Sequence, residues 1–299
     1  MGDCHPAGCH PAGYRHQAIL MADQLRLFEV SLEDALAQTR EIMSAAKAKY
    51  QPSRTFLLFS GGNDSLVLLD ALAGQYDEIV HINTGIGIPE TTDFARRTAA
   101  GYRVPFTEMT PPDSYEHLVL NNWGGMPGPG AHYLTYQRLK ERCVMALLRH
   151  HRTFRGERFM LLTGVRQAES VRRMGYKDPV NRTGGQVWVN PLLFWSHANM
   201  AEYRSAMSLP VNEVAVHLHM SGECLCGAMA SQGPAREERE LIRFFYPDFD
   251  NRLTALEQEC RNKGLRWCEW GMARGKEPKP AGQLCQSCEF RQLSLMDMT

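Results

Sequence analysis

The chain has 299 residues, 33 Lys and Arg against 33 Asp and Glu, 43% apolar residues and nine Cys, the profile of a globular protein with one large domain or a domain and a subdomain. The balanced charge removes any global argument for a nucleic-acid or membrane-surface partner, and the composition excludes collagen-like, wholly disordered and disulfide-scaffold classes. No apolar stretch approaches the ~18 to 20 residues that span a bilayer, and the opening MGDCHPAGCHPAGYRH lacks the apolar core of a signal peptide, so a cytoplasmic location is expected.

Residues 1–16 carry Cys-His-Pro-Ala-Gly at Cys4–Gly8 and again at Cys9–Gly13, too rich in Pro and Gly for a helix or strand. They read as a flexible tail. From Ala18 to Tyr50 the spacing of Leu20, Leu25, Leu32, Leu36, Ile42 and Met43 predicts an N-terminal helical segment over 17–50, with Ser31 as a cap. Then the period changes. Thr55–Phe59 is a short apolar run, Ser60-Gly61-Gly62-Asn63-Asp64-Ser65 a turn, and Leu66–Leu72 a helix. The unit recurs with a strand over Asp77–Ile82, a turn at Asn83-Thr84-Gly85, a helix over Pro89–Ala100 and a third strand over Tyr102–Thr107. Beyond the loop Gly124–Gly130 come a helix over Gln137–His150, a strand over Arg158–Thr163 and a loop to Gly175. Alternating strands and helices, each strand buried on both faces, predict an α/β fold whose parallel sheet is flanked by helices. Ligands in such sheets sit at the carboxyl ends of the strands, where these Gly turns fall. The second half is less regular, with a short strand closing at Asn190-Pro191-Leu192 and a helix over Asn199–Met207. The expected division is a nucleotide-type α/β domain over 51–200 and a cysteine-rich region over 201–299.

Between a strand and a helix, the Ser60–Ser65 turn offers backbone N–H groups and a helix terminus to an anion, with Ser60 and Ser65 adding hydroxyls. It lacks the Gly-Lys-Ser/Thr of a Walker loop. A plain strand-to-helix turn is the alternative.

The string SGGNDS after a hydrophobic strand resembles the PP-loop of ATP pyrophosphatases in the adenine nucleotide alpha-hydrolase superfamily. The rest of the chain resembles the PAPS reductase branch of that superfamily. His81-Ile82-Asn83-Thr84-Gly85 is similar to the second family motif, Gly164-Val165-Arg166 with Glu169-Ser170-Val171-Arg172-Arg173 to the third, and Asn190-Pro191-Leu192-Leu193-Phe194-Trp195 with Cys224-Leu225-Cys226 to a fourth. The resemblance implies that Ser60, Gly61, Gly62, Asn63, Asp64 and Ser65 bind phosphates, that Asn83, Thr84 and Gly85 lie beside the adenosine, and that Gly164 and Arg166 belong to the same site. Asp64 either orients a phosphate through Mg2+ or caps the helix. Arg166, with Arg172 or Arg173, would neutralise phosphate charge, although the latter two could equally be solvated surface charges. Catalytic roles are expected for Asp64, Arg166 and Arg172. Arg138 and Lys140 stand where the family often has a basic pair after cysteines, here preceded by Leu134, Thr135 and Tyr136.

Cys224-x-Cys226 and Cys285-x-x-Cys288 form two close pairs, a soft four-ligand pattern suited to an iron-sulfur cluster or Zn2+. Gly222 and Gly227 would allow the bend that the one-residue spacer needs. Buried thiols or a reducible disulfide are the alternative. The resemblance favours iron-sulfur over zinc. Cys143 reads as core, Cys260 and Cys268 are unassigned, and Trp195, Trp267 and Trp270 read as packing.

Two activities are implied by the resemblance. One is ATP cleavage to AMP and pyrophosphate, activating an acceptor for sulfur transfer or related redox chemistry. The other is reduction of PAPS or APS with release of sulfite. The complete SGGNDS string and the lack of a Glu-Cys-Gly-Leu-His tail favour the first. A nucleotide-binding module without catalysis, inside a larger assembly, is a third reading. The partners implied are an adenine nucleotide, a sulfur donor protein or reductant, and a nucleic-acid acceptor; the locally basic stretch from Arg149 to Arg158 is the one local hint of the last, and an ordinary exposed helix end is the preferred reading of it.

Overall fold

The computed structural model describes residues 30–169, 173–175, 177–230 and 235–272, with the side chains of 235 and 236 left out. The Cys-His-Pro-Ala-Gly repeat, Ser170 to Arg172, Cys285 and Cys288 lie outside the described residues.

Helix α1 (Leu32–Tyr50) begins where expected: Ser31 is its cap, accepting from the Asp34 N–H, with Glu33 and Asp34 in the first turn and Lys47 and Lys49 in the last. Those charges complement the helix dipole. Strand β1 (Arg54–Leu58) leads into α2 (Asn63–Ala71), β2 (Glu78–Ile82) into α3 (Pro89–Ala99), and β3 (Phe106–Met109) into α4 (Tyr115–Asn121). After α5 (His132–Tyr136), a π turn over Gln137–Glu141 and α6 (Arg142–His151) come β4 (Phe159–Leu162), β5 (Val180–Thr183) and β6 (Gln186–Val189). The chain continues through α7 (His197–Ala206), α8 (Glu213–Leu218), α9 (Ala235–Phe245) and α10 (Pro247–Asn262).

The sheet order is β3-β2-β1-β4-β6-β5, parallel throughout except for β5, which runs antiparallel to β6. This is the α/β fold that the alternating elements predicted. Successive residues enter opposite cores: Leu57, Ile79, Met160 and Val187 face α1, α2, α3 and α7, while Phe56, Val80, Leu161 and Trp188 face α6. Burial on both faces is why these strands read as continuous apolar runs instead of alternating ones. A third core, with Leu118, Leu218, Ile242, Leu253 and Cys226, lies among α4, α8, α9 and α10.

Three elements differ from expectation. β3 begins later, at Phe106, because it is an edge strand whose residues are all half-buried, while Tyr102 and Val104 pack on the core from the preceding loop. The helix expected over Gln137–His150 is longer and carries the π turn, whose extra residue rotates the facing of the helix beyond it. The β5–β6 hairpin, closed by Gly184 and Gly185 between Thr183 and Gln186, went unread because β5 is a polar edge strand. Its signal was the Gly-Gly pair flanked by Thr and Gln. Among the described residues no helix is long and apolar enough to cross a membrane.

Candidate functional site

β1 ends in the sheet interior and hands the chain to α2 through Phe59–Gly62. Gly61 takes φ +77°, the left-handed region, and turns the chain sharply enough to start a helix at Asn63. The turn is held from within: the Ser65 hydroxyl donates to the Gly62 carbonyl at 3.0 Å, stands 3.0 Å from the Ser60 hydroxyl and accepts from the Ser60 N–H at 3.3 Å. No side chain caps α2, whose N-cap is Gly62. Its first-turn donors therefore face outward for an external acceptor. The expectation that Asp64 might cap this helix is corrected here, because its carboxylate is engaged by Arg166 at 3.1 Å.

Arg166 follows β4 and is 4% exposed. One amino group holds Asp64, the other donates to the Trp195 carbonyl at 3.2 Å, and Nε is buried with no partner among the described residues. Burial pushes the Asp64 carboxyl up from its ordinary value, and Arg166 opposes that shift. Gly164 explains how the β4 loop comes so near: a Cβ there would sit 2.9 Å from the Asp64 carbonyl carbon and the Ser65 nitrogen, so a side chain would drive the two loops apart. Arg173 pairs with Glu169, which also accepts from the Arg166 N–H. Arg173 thereby braces the loop instead of standing free in solvent.

Beside this turn, β2 ends at Asn83-Thr84-Gly85. The Asn83 amide donates to Glu108 at 2.8 Å and its carbonyl accepts from the Gly85 N–H. Arg96 makes two further bonds to the Glu108 carboxylate. Burial would raise the Glu108 carboxyl, but the hydrogen bonds from Arg96 and Asn83 hold it below its ordinary value. Glu108 thus fixes Asn83 in one orientation. Thr84, fully buried, donates instead to the Glu223 carbonyl at 2.8 Å.

That last bond belongs to a series. The stretch Ser221–Cys226 lies along the carboxyl edge of the sheet: Ser221 accepts from Thr91, Gly222 from the Ile88 N–H, and Leu225 donates to Ile86. Tyr115 donates to the Cys226 carbonyl at 2.9 Å and Trp270 to the Leu225 carbonyl at 2.7 Å. Gly222 and Gly227 are both left-handed, as the bend expected between the thiols requires. Cys226 is lowered to about 7, chiefly by the neighbouring Cys224 thiol and, against burial, by Ala228, Thr135 and Lys140, while Cys226 and burial raise Cys224 well above its ordinary value. Lys140, on the π turn, reaches Glu223 at 3.0 Å, and that carboxylate keeps the ammonium protonated despite burial. Lys140 pulls both thiols toward thiolate, and Cys226 alone ends below its ordinary value.

The structure therefore brings Ser60 to Ser65, Asp64, Gly164 and Arg166 together, sets Asn83 to Gly85 at the next strand end, and places Cys224 and Cys226 on a segment bonded to Thr84 and linked to Gly61 through Asn212. Among the described residues no group of three or more His, Cys, Asp and Glu side chains could hold a metal ion. Cys143 is buried in the core facing α6, and burial raises its thiol to about 11. Trp195 is packing, edge-on to Tyr203 and donating to Thr39. Glu108, Asn212 and the Lys140–Glu223 pair went unread. Of these only Lys140 had a sequence signal, its place in the basic pair.

The model of the phosphoadenosine phosphosulfate reductase domain matches residues 54–218, more than half of the chain. The chain belongs to this PAPS reductase family. Among solved structures it is similar to the PAPS reductase from Candida auris in its phosphate complex, with 19% identity, TM-score 0.43, and 63% of this chain and 93% of that chain covered. It is also similar to NMN synthetase from Francisella tularensis, at 12% identity, TM-score 0.46 and coverage of 76% and 96%. A third is the U34-tRNA thiolase NcsA from Methanococcus maripaludis with its [4Fe-4S] cluster, at 12% identity, TM-score 0.45 and coverage of 86% and 87%. No curated protein matches.

Proposed function

We propose that this PAPS reductase-family chain is an enzyme that binds ATP at the Ser60–Ser65 turn and cleaves it between the α and β phosphates. The observation that carries this reading is the uncapped terminus of α2, framed by two serines and closed by the Asp64–Arg166 pair. Backbone donors and hydroxyls there suit phosphate oxygens, and a buried guanidinium beside them suits the charge that grows at the attacked phosphorus. An acceptor oxygen attacks the α phosphorus, the bond to the β phosphate breaks, and pyrophosphate leaves. The acceptor then carries AMP, which a sulfur nucleophile displaces. Asn83, Thr84 and Gly85 border the adenosine. Asp64 is proposed to meet Mg2+ on the phosphates, and Arg172 to add positive charge to the site.

Cys224 and Cys226 are proposed as two ligands of an iron-sulfur cluster, or of Zn2+, completed by Cys285 and Cys288. The convergent thiols and the adjacent Lys140 fit two ligand positions. A cluster held by these four thiolates would supply electrons, whereas zinc would fix the segment. A sulfur donor protein or reductant, and a nucleic-acid acceptor, are the partners this reading calls for.

The family description favours a second reading, in which a thiolate attacks the sulfur of PAPS or APS and sulfite is released. Anaerobically purified protein given ATP, Mg2+, a mixed nucleic-acid acceptor and sulfide, or PAPS and a dithiol reductant, separates the two. AMP and pyrophosphate in equal amounts support the first reading, sulfite supports the second, and nucleotide binding with neither product leaves a binding module.

A further inference from the structure

Asn212 stands just before α8, outside every motif, yet it is 3% exposed and spends its whole side chain. Its carbonyl accepts from the Val214 N–H at 3.1 Å and so caps α8. Its amide donates to the Gly61 carbonyl at 2.9 Å and stands 3.4 Å from both the Thr91 hydroxyl and the Ser221 carbonyl. Gly61 is the left-handed residue of the phosphate turn, and its carbonyl needs a donor if it is to stay pointed into the protein. The other edge of that trans peptide, the Gly62 N–H, points the opposite way and donates to the Ser60 hydroxyl at 3.3 Å, so the orientation of Gly61 also sets where Ser60 stands. Without that donor, Gly61 has the freedom to rotate and a buried carbonyl would be left unpaired.

We propose that Asn212 is a positioning residue for the nucleotide: one amide pins the Gly61 carbonyl, holds the Ser60–Ser65 turn open toward phosphate, and ties it to the cysteine-bearing segment through Ser221. This rests on the reading of that turn as the nucleotide site. Asn212 touches no reacting atom. It acts through the turn, and what it adds is the entropy already spent in shaping the cradle before the nucleotide arrives.

Asn212→Ser separates this role from simple helix capping, because serine caps well but does not reach Gly61. Ser196→Ala, which removes the cap of α7, serves as the control for lost stability alone. In titrations of Mg-ATP by calorimetry, Asn212→Ser is expected to weaken binding about 10-fold or more, with Ser196→Ala unchanged. In pyrophosphate release the loss should fall on KM and leave kcat nearly intact. Hydrogen exchange of the 60–65 peptide in nucleotide-free protein should speed up in Asn212→Ser and not in Ser196→Ala. Equal affinity and equal exchange in Asn212→Ser overturn the proposal while leaving the nucleotide site standing. A wild-type protein that binds neither ATP nor PAPS overturns the reading of the turn itself, and the positioning role falls with it.

Discussion

The phosphate turn and the cysteine segment meet at one edge of the sheet but are built on opposite principles. The turn is a product of its own strand and helix, with Ser60, Gly62 and Ser65 making most of the bonds that shape it. The segment from Ser221 to Cys226 contains no helix or strand and takes its shape from the sheet's loops, through Ile86, Ile88, Thr84 and Thr91, and from Tyr115 and Trp270. A locally encoded site leans on few outside bonds, here the Asn212 amide on Gly61, whereas a borrowed one fails whenever its hosts do. Damage to the sheet's loops should therefore reach the thiols, and damage to the thiols should spare the turn.

The largest effect is expected from Arg166→Ala. It leaves the Asp64 carboxylate in its half-buried place without its cation, which for a buried pair costs about 3 kcal/mol. Urea unfolding should show that loss, and nucleotide turnover should fall with it. Unchanged stability would mean that Asp64 is paired by solvent instead.

Next comes the helical end of the molecule. Asp250 on α10 is clasped by Arg239 and Arg243 of α9. Burial would raise its carboxyl, yet those hydrogen bonds hold it below its ordinary value. The folded state thus binds the proton less readily than the unfolded chain, so this stabilisation is present above the usual carboxylate range and is lost as pH falls through and below about 4. Asp250→Asn should cost about 2 kcal/mol near neutrality, with the gap to wild type closing at low pH. Thermal melts at pH 7 and pH 3 check both statements.

Smaller, and aimed at the borrowed segment, is Thr84→Val. It removes the bond to the Glu223 carbonyl and should cost about 1 kcal/mol, but its sharper sign is greater exposure of Cys224 and Cys226 to a thiol reagent at an unchanged nucleotide affinity. The converse change, Cys224→Ser with Cys226→Ser, should lower bound iron or zinc by elemental analysis while leaving ATP titrations as they were. Lost nucleotide binding in that variant would contradict the asymmetry between the two regions.

The same asymmetry decided what could be read from the sequence. The phosphate turn, the β2 end and the parallel sheet were legible because each is encoded within a few consecutive residues: an apolar run, glycines, then a helical period. Ser31 was legible as a cap for the same reason. Asn212 and Glu108 were not, since their partners lie on other elements, Gly61 at one end and Asn83 at the other. The edge strands β3 and β5 blurred because half-buried strands tolerate polar residues, and the π turn has no sequence period of its own.

The most direct test of the account is a calorimetric titration of Mg-ATP into wild-type protein and into Ser60→Ala with Ser65→Ala. One site per chain in the wild type, weakened about 10-fold or more when both hydroxyls are removed, is the predicted result. Equal affinity in the two proteins would place the nucleotide elsewhere and contradict the assignment of the Ser60–Ser65 turn.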